Sequence, residues 1–527
     1  MARTTILDLP SELIASVVTH LSDNDIFATR LANRHLERAS LSFYGPHFFR
    51  KKGFMLTTPS LNVLRHVSEH EELRKDVQHI WFNPDCFTFV TPACGPDDQE
   101  MPPDPHDPDS KLLLLSPSDR RRYEAYRECM RDHSSLMRSS GAKLQEILTD
   151  VLPKLPRLEV IGMRRSEDHS PWGWARLRDA VGEDPRVLGP LPLGPLHHLS
   201  GPTRLFIAII HSLAATTVKL RRLYTDAIEI DDVDPSLLPQ TLLDRACNSI
   251  WYLELNSTRA WLARRNGRSD GGYIRNLEPA NYGDGLVRLL RATTHLKEIG
   301  LQIFPGQTQS YLVAPGYPDP ESWRTSYQYI CLEKLTRDAP LRHLERVKLE
   351  KITTASATLR AFLAPSAHTL RSLKLRDVRL LSSRPPTPAE DADDDETPWT
   401  PIFTFLHTSC PALRHLLLYH LLHGTGAVSF RPNTPMLVPP VQTDPTTGLP
   451  TSTFGGSDEE EAFARYEHVA LQVGDVEGGG RGGGEGDVRA VRDRVAGLVQ
   501  GHWCVGPYFT YVIDDGVWFT DTSGEEW

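Results

Sequence analysis

A nine-residue pattern that returns along the chain most narrows what the chain can fold into. "LERVKLEKI" (344–352), "LRSLKLRDV" (370–378) and "LRHLLLYHL" (413–421) all fit L-x-x-[LV]-x-L-x-x-[ILV]. Looser copies stand at 220–228, 250–258 and 296–304, with fragments at "LEVIGM" (158–163) and "VQHIWF" (77–82). The alternation inside the pattern is that of a short strand with one buried face. The stretches ahead of several copies, such as "LVRLLRATTH", "ATLRAFLAPSAH" and "TPIFTFLHTSCPA", have helical spacing instead.

One strand plus one helix per unit predicts an α/β fold, an irregular leucine-rich-repeat solenoid in which neighbouring units share a core. At 527 residues the chain has room for such an array or for two or three domains. An ordinary α/β domain with leucine-rich strands is the competing reading. The expected plan is short helices over 1–45, a connecting helical segment over 46–75, and the repeats over 76–423. Within the repeats, Pro- and acid-rich loops are expected at 95–110, 189–202 and 382–400. A disordered insertion follows at 424–460, then a C-terminal cap over 461–527 with a Gly-rich linker at 474–487. The cap is read from an apolar stripe at Val488, Val491, Val495 and Leu498, and from the crowd of aromatics that follows Trp503.

The opening stretch "LDLPSELIASVVTHLSD" (7–23) is an amphipathic helix in search of a cover. Pro10 suits a helix start, and Leu13, Ile14, Val17, Val18 and Leu21 fall on one stripe at helical steps. Burying such side chains is worth roughly 1.5–3 kcal/mol each, so something must cover them. Ser22 and Asp23 are then N-cap candidates for a second helix, on which Ile26, Phe27, Leu31 and Leu36 continue an apolar face. Two covers stay open from the pattern alone: the end of the repeat array, which the helix would cap, or a separate partner.

Residues 9–36 resemble the F-box. The family pattern, roughly L-P-x-E-[LI]-x-x-x-[IV]-x-x-x-L-x-x-x-D-[LI], is met at Leu9, Pro10, Glu12, Leu13, Val17, Leu21, Asp25 and Ile26. Where the family ends in small residues and a Trp, this chain has Ala32, Asn33 and Leu36, which is similar to divergent fungal members carrying irregular leucine-rich repeats. The resemblance implies that these helices, Leu36 included, bind a Skp-type adaptor and through it a cullin scaffold. The chain would then be the substrate-recognition subunit of an SCF-type ubiquitin ligase, its repeats binding a target protein, in the cytoplasm or nucleus. It would itself perform no bond chemistry. The alternative is a leucine-rich-repeat interaction scaffold that joins no ligase.

Composition agrees with a protein partner. The formal charge is −10 with no long basic block, which disfavours duplex nucleic acid. The seven cysteines are spread without a C-x-x-C pair, and no secretory leader is read at the start, so a reduced, intracellular protein is expected. "LFIAIIHSLAA" (205–215) is too short to span a bilayer and reads as a core helix. His197 and His198 lack further ligands at metal spacing, Cys86 and Cys94 read as reduced thiols, and "GGGRGGGEG" lacks the Lys-Ser/Thr of a phosphate loop. No cofactor or metal is expected. The acidic runs 390–396 and 457–461 read as solvated loop charge, with Thr387 and Ser457 as possible phosphorylation points.

Overall fold

The computed structural model describes residues 5–84, 117–163, 171–181, 201–257, 281–303, 327–381, 398–423, 426–430, 470–473, 493, 495–496, 498 and 503–507. These divide into two compact units, with the boundary between the repeat strands at Ile250–Trp251.

The first unit opens with three helices, α1 (Ser11–Val18), α2 (Asp23–Ala32) and α3 (Arg34–Phe49). Four parallel strands follow: β1 (Lys51–Met55), β2 (His79–Asn83), β3 (Val160–Met163) and β4 (Arg222–Ile228). Helices link them: α4 (Thr58–Glu69), α5 (Pro117–Val151), α6 (Trp174–Val181) and α7 (Gly201–Ala215), with α8 (Gln240–Cys247) after β4. Parallel neighbours need such crossovers, and the helices layer on one another as α4 on α5 and α5 on α7. The apolar run at 205–215 lies within α7 and is buried as expected, with its His211 ring at 2.7 Å from the Leu237 carbonyl. Close approach of strands shows in the register Gly162↔Tyr224, where a Cβ on Gly162 would sit 1.8 Å from Tyr224 Cζ.

The second unit is the clearest realisation of the repeat. Its strands are β5 (Tyr252–Ser257), β6 (Glu298–Ile303), β7 (Arg346–Glu350), β9 (Ser372–Arg376) and β11 (His415–Tyr419), all parallel and adjacent in that order. Helices α9 (Asp284–Ala292), α10 (Tyr327–Asp338), α11 (Ser356–Leu363) and α12 (Thr400–Ser409) precede the last four of these strands in turn. The register sets Leu255, Leu301, Leu349, Leu375 and Leu418 side by side, each at most 1% exposed. The three leucines expected to be equivalent are therefore neighbours in one buried ladder.

A second sheet in this unit is absent from the expected plan. Each of the three closest copies has a residue with positive φ at its penultimate position, namely Lys351 (51°), Asp377 (54°) and His420 (53°). The chain then enters a short strand: β8 (Thr353–Ala355), β10 (Arg379–Leu381) and β12 (Leu422–His423), parallel to one another. Successive corners are tied together, since Lys351 N–H donates to the Arg376 carbonyl and Asp377 N–H to the Tyr419 carbonyl, both at 3.0 Å. Two strands per unit is the corrected repeat.

Three boundaries also shift. The helices expected to end at 45 continue to Phe49, which is buried, and the "connecting" segment 46–75 contains β1, a full member of the sheet. Helix α7 starts at Gly201 and α12 at Thr400, inside the expected loops 189–202 and 382–400, and Trp399 is fully buried with its indole N–H donating to the Leu422 carbonyl at 3.1 Å. In the C-terminal region, β13 (Gly426–Phe430), β14 (Ala470–Val473) and β15 (Trp503–Pro507) run antiparallel to their partners: β14 borders β11, and β13, which joins β12 to β15, is an ordered strand inside the stretch 424–460 expected to be a disordered insertion. Val495 and Leu498 are buried; Val488, Val491, the Gly-rich linker and the aromatics beyond Pro507 lie outside the described residues.

Candidate functional site

The N-terminal helices form a small module with its own core. Ser22 caps α2, its hydroxyl oxygen accepting from Asp25 N–H at 3.3 Å, and Asn33 caps α3 by accepting from His35 N–H at 2.7 Å. Helices α1 and α2 both pack on α3, burying Ile14, Val18, Ile26, Leu36 and Tyr44. Arg30 lies 3.4 Å from the centre of the Tyr44 ring and 3.6 Å from Glu37, and His47 meets Asp23 at 3.2 Å, which pins α2 to α3. Burial pushes the Tyr44 phenol up, against the pull of Arg30.

This core uses only half of the apolar residues. The five-residue stripe on α1 is in fact two stripes: Ile14 and Val18, each 1% exposed, face α3, while Leu13 (53%) and Val17 (42%) face solvent. Helix α2 repeats the division, with Ile26 buried and Phe27 (39%) and Leu31 (88%) exposed. Ile6 and Leu7, in the 3-10 turn Ile6–Asp8, are exposed as well. Of the seven large apolar side chains exposed among the described residues, six lie between Ile6 and Leu31. Such a concentration makes this stretch a candidate interaction surface, whereas single exposed apolar residues are ordinary.

The expected adaptor-binding residues separate accordingly. Leu13 and Val17 are on this surface; Pro10, at the start of α1, and Glu12 are exposed beside them, and Leu9 and Leu21 are half-buried. Asp25 is exposed and accepts from the Ser22 hydroxyl at 2.7 Å. Ile26 and Leu36 are core residues, so they shape the module from within and offer a partner no surface. Ile6, Leu7, Phe27 and Leu31 are exposed beyond the expected set, the Phe27 ring also meeting Tyr44 and Phe48 at 6.0 and 5.0 Å. The i, i+4 spacing of Phe27 and Leu31, one step out of phase with Ile26, carried that signal.

A second surface is the solvent side of the strands in the second unit. Its residues alternate with the buried leucines and are largely polar. Lys348 lies 3.4 Å from Glu254 and 3.2 Å from Glu350, and Arg346 lies 3.6 Å from Glu298. Burial opposes the Lys348 charge, yet the two carboxylates more than offset it and hold its pKa above the usual lysine value. A Cβ on Gly300 would stand 3.0 Å from Glu254 Cγ, so glycine there leaves the glutamate room to reach Lys348.

Signs of other chemistry are few. Among the described residues no group of three or more His, Cys, Asp or Glu could hold a metal ion, and no helix is long and apolar enough to cross a membrane. Burial pushes the thiols of Cys129, Cys247 and Cys410 up to about 12, far from the range of a reactive thiolate. His197, His198, Cys86, Cys94, Thr387, Ser457 and both acidic runs lie outside the described residues.

No family model matches the chain, and no curated protein matches it. The F-box resemblance thus rests on residues 9–36 alone. Among solved structures, the leucine-rich repeat-containing protein LegL7 from Legionella pneumophila is similar at 9% identity and a TM-score of 0.26, over 70% of this chain and 90% of that one. So loose a likeness adds nothing to what the strands display directly. The fold defines a mixed α/β protein with a parallel sheet of leucine-rich-repeat-like units, and the candidate sites are surfaces.

Proposed function

We propose that the chain is the substrate-recognition subunit of an SCF-type ubiquitin ligase. In this reading the N-terminal module docks on a Skp-type adaptor, which bridges to a cullin scaffold, and the repeats hold a target protein. The chain contributes placement, and the bond chemistry belongs to the complex it joins.

The observation that carries the proposal is the division of α1. Ile14 and Val18 already supply the module's own core, while Leu13 and Val17, one i, i+4 pair, leave 53% and 42% of their surface to solvent. Helix-to-helix docking uses anchors at that spacing, and their burial against a partner would be worth roughly 1.5–3 kcal/mol each. The F-box resemblance then names the kind of partner.

Copurification of the full chain with a Skp-type adaptor tests this. Leu13→Asp with Val17→Asp is expected to abolish capture, because two carboxylates would be stranded in an apolar interface. The melting temperature of the variant should stay at the wild-type value, since both positions are exposed. Capture of the double variant at wild-type levels would sink the proposal. If the wild-type chain itself fails to bind the adaptor, the scaffold that joins no ligase becomes the better reading.

A further inference from the structure

Trp172, 38% exposed, is the one large apolar residue exposed outside Ile6–Leu31 among the described residues. It borders β1, the end strand of the sheet, where it bridges to Phe54. Its backbone is firmly held. The N–H donates to the Gly53 carbonyl at 2.8 Å, and its own carbonyl accepts from Met55 N–H at 3.3 Å and from the Ser60 hydroxyl at 2.8 Å. Gly173 follows at a φ of 97° and leads straight into α6, whose Trp174 is buried in a cluster with Met55. An exposed indole on a fixed backbone loses little freedom when a partner covers it, and tryptophan is among the side chains enriched at interface hot spots.

The neighbours of the ring tie it to the N-terminal helices. The Lys52 ammonium lies 5.1 Å from the Trp172 ring centre. Burial pushes the Lys52 pKa down, and the charge of Asp23, the first residue of α2, pulls against that. Asp23 also meets His47 of α3 at 3.2 Å. The His47 ring lies 4.6 Å from Phe48, which lies 5.0 Å from Phe27. Asp23, Phe27 and His47 are all exposed. A path of neighbouring side chains thus runs from Phe27, in the candidate surface of the helices, to Trp172 on the first sheet, wholly within the first unit.

We propose that Trp172 is a second anchor for the partner that docks on the N-terminal helices, with an apolar side chain of the adaptor over the indole and an adaptor carboxylate at Lys52. The inference rests on the reading that the module binds a Skp-type adaptor, and it extends that contact onto the sheet. Continuity selects this occupant. A specific interface takes about 800 Å² from each partner, more than two exposed side chains of α1 provide, and the path from Phe27 to Trp172 is the adjoining surface. Charge agrees, because Lys52 is a partly desolvated cation whose neighbour Asp23 is shared with His47. Anchors on both the helices and the sheet fix the angle at which the first sheet leaves the adaptor.

Hydroxyl-radical footprinting of the full wild-type chain, with and without a purified Skp-type adaptor, tests the inference. Mass spectrometry reads oxidation at Trp172 and in the peptide carrying Leu13 and Val17. Both should be protected by the adaptor. In titrations, Trp172→Ala should weaken adaptor affinity at least about tenfold, a change of roughly 1.4 kcal/mol, and Trp172→Phe should restore most of it. Lys52→Gln should weaken binding less and make it less sensitive to salt. The footprint needs no variant, so it decides the matter even if Trp172→Ala folds poorly. Protection of Leu13 and Val17 with Trp172 oxidation unchanged, or undiminished affinity in a folded Trp172→Ala, would overturn this inference and leave the ligase reading standing. Protection of Trp172 alone would support it and refute docking through α1. No adaptor binding by the wild-type chain would overturn both. Protection of Trp172 that grows with the concentration of the chain alone would overturn the inference in favour of a second copy.

Discussion

Leu13 and Ile14 are adjacent in the chain and similar in chemistry, yet one is 53% exposed and the other 1%. A helix turns about 100° per residue, so a broad apolar arc on α1 can serve two masters. Apolar pattern alone marks the arc and leaves open which edge meets the module's own core; this is why five residues read as one stripe. The repeat leucines were legible because strand alternation gives each a single inward direction. Leu375→Ala, in the middle of the ladder, should cost on the order of 2–5 kcal/mol in urea unfolding, and Leu349→Ala and Leu418→Ala should fall in the same range. Near-neutral effects at two of the three would remove the ladder from the stability of the unit. His133 on α5 gives a pH prediction. Burial pushes its pKa down, although its ring lies 3.0 Å from the Leu56 carbonyl and near Asp132. The unfolded chain therefore takes up this proton at higher pH than the folded one. Its contribution to stability is complete above the ordinary histidine pKa of about 6.5 and is lost as the pH falls through and below it. Urea midpoints at pH 7.5 and 5.5, as trial values on either side of about 6.5, should differ less in His133→Asn than in the wild type.

Elements differ in how plainly they announce themselves. Strands β5, β6, β7, β9 and β11 have five or six residues with inward apolar positions, and all fall on the recurring pattern. The partners β8, β10 and β12 have three, three and two residues, too short for any period to emerge. What makes them strands is the corner before each one. Lys351, Asp377 and His420 hold a left-handed backbone that costs an ordinary residue roughly 1–2 kcal/mol. Asp377 and His420, at successive corners, recover part of that through a side-chain hydrogen bond. Lys351→Val should then destabilise by about 1–2 kcal/mol, while Lys351→Gly should be near neutral, because relief at the corner is offset by the freer unfolded chain. Equal losses in the two variants would mean that the lysine side chain, and not the backbone, matters there. Strand β1, "KKGFM", escaped notice for another reason: its buried residues Gly53, Phe54 and Met55 are consecutive, as suits a strand covered on both faces.

At the scale of the molecule, the proposed function would divide between the units, since the exposed apolar residues of the N-terminal helices belong to the first and the clearest repeats to the second. If the proposed function holds, a chain lacking residues 1–49 should lose adaptor capture and keep its target, and in cells it should raise the target's level by occupying it without a ligase. Cutting at residue 44 instead would leave the end of α3, with Phe49, stripped of its partners, and is expected to lower solubility. Loss of target binding on the longer deletion would show that the two tasks are not separable. The leucine ladder has one more consequence. From Leu349 to Leu375 the chain travels 26 residues and from Leu375 to Leu418 it travels 43, yet the three remain in register. Doubling a spacer costs only about 0.6 kcal/mol of closure entropy, so spacers of very different length are compatible with one ladder. Homologues should accordingly vary in length far more than in strand number, and the stretch between β10 and α12 is where an inserted tag or domain should be accepted.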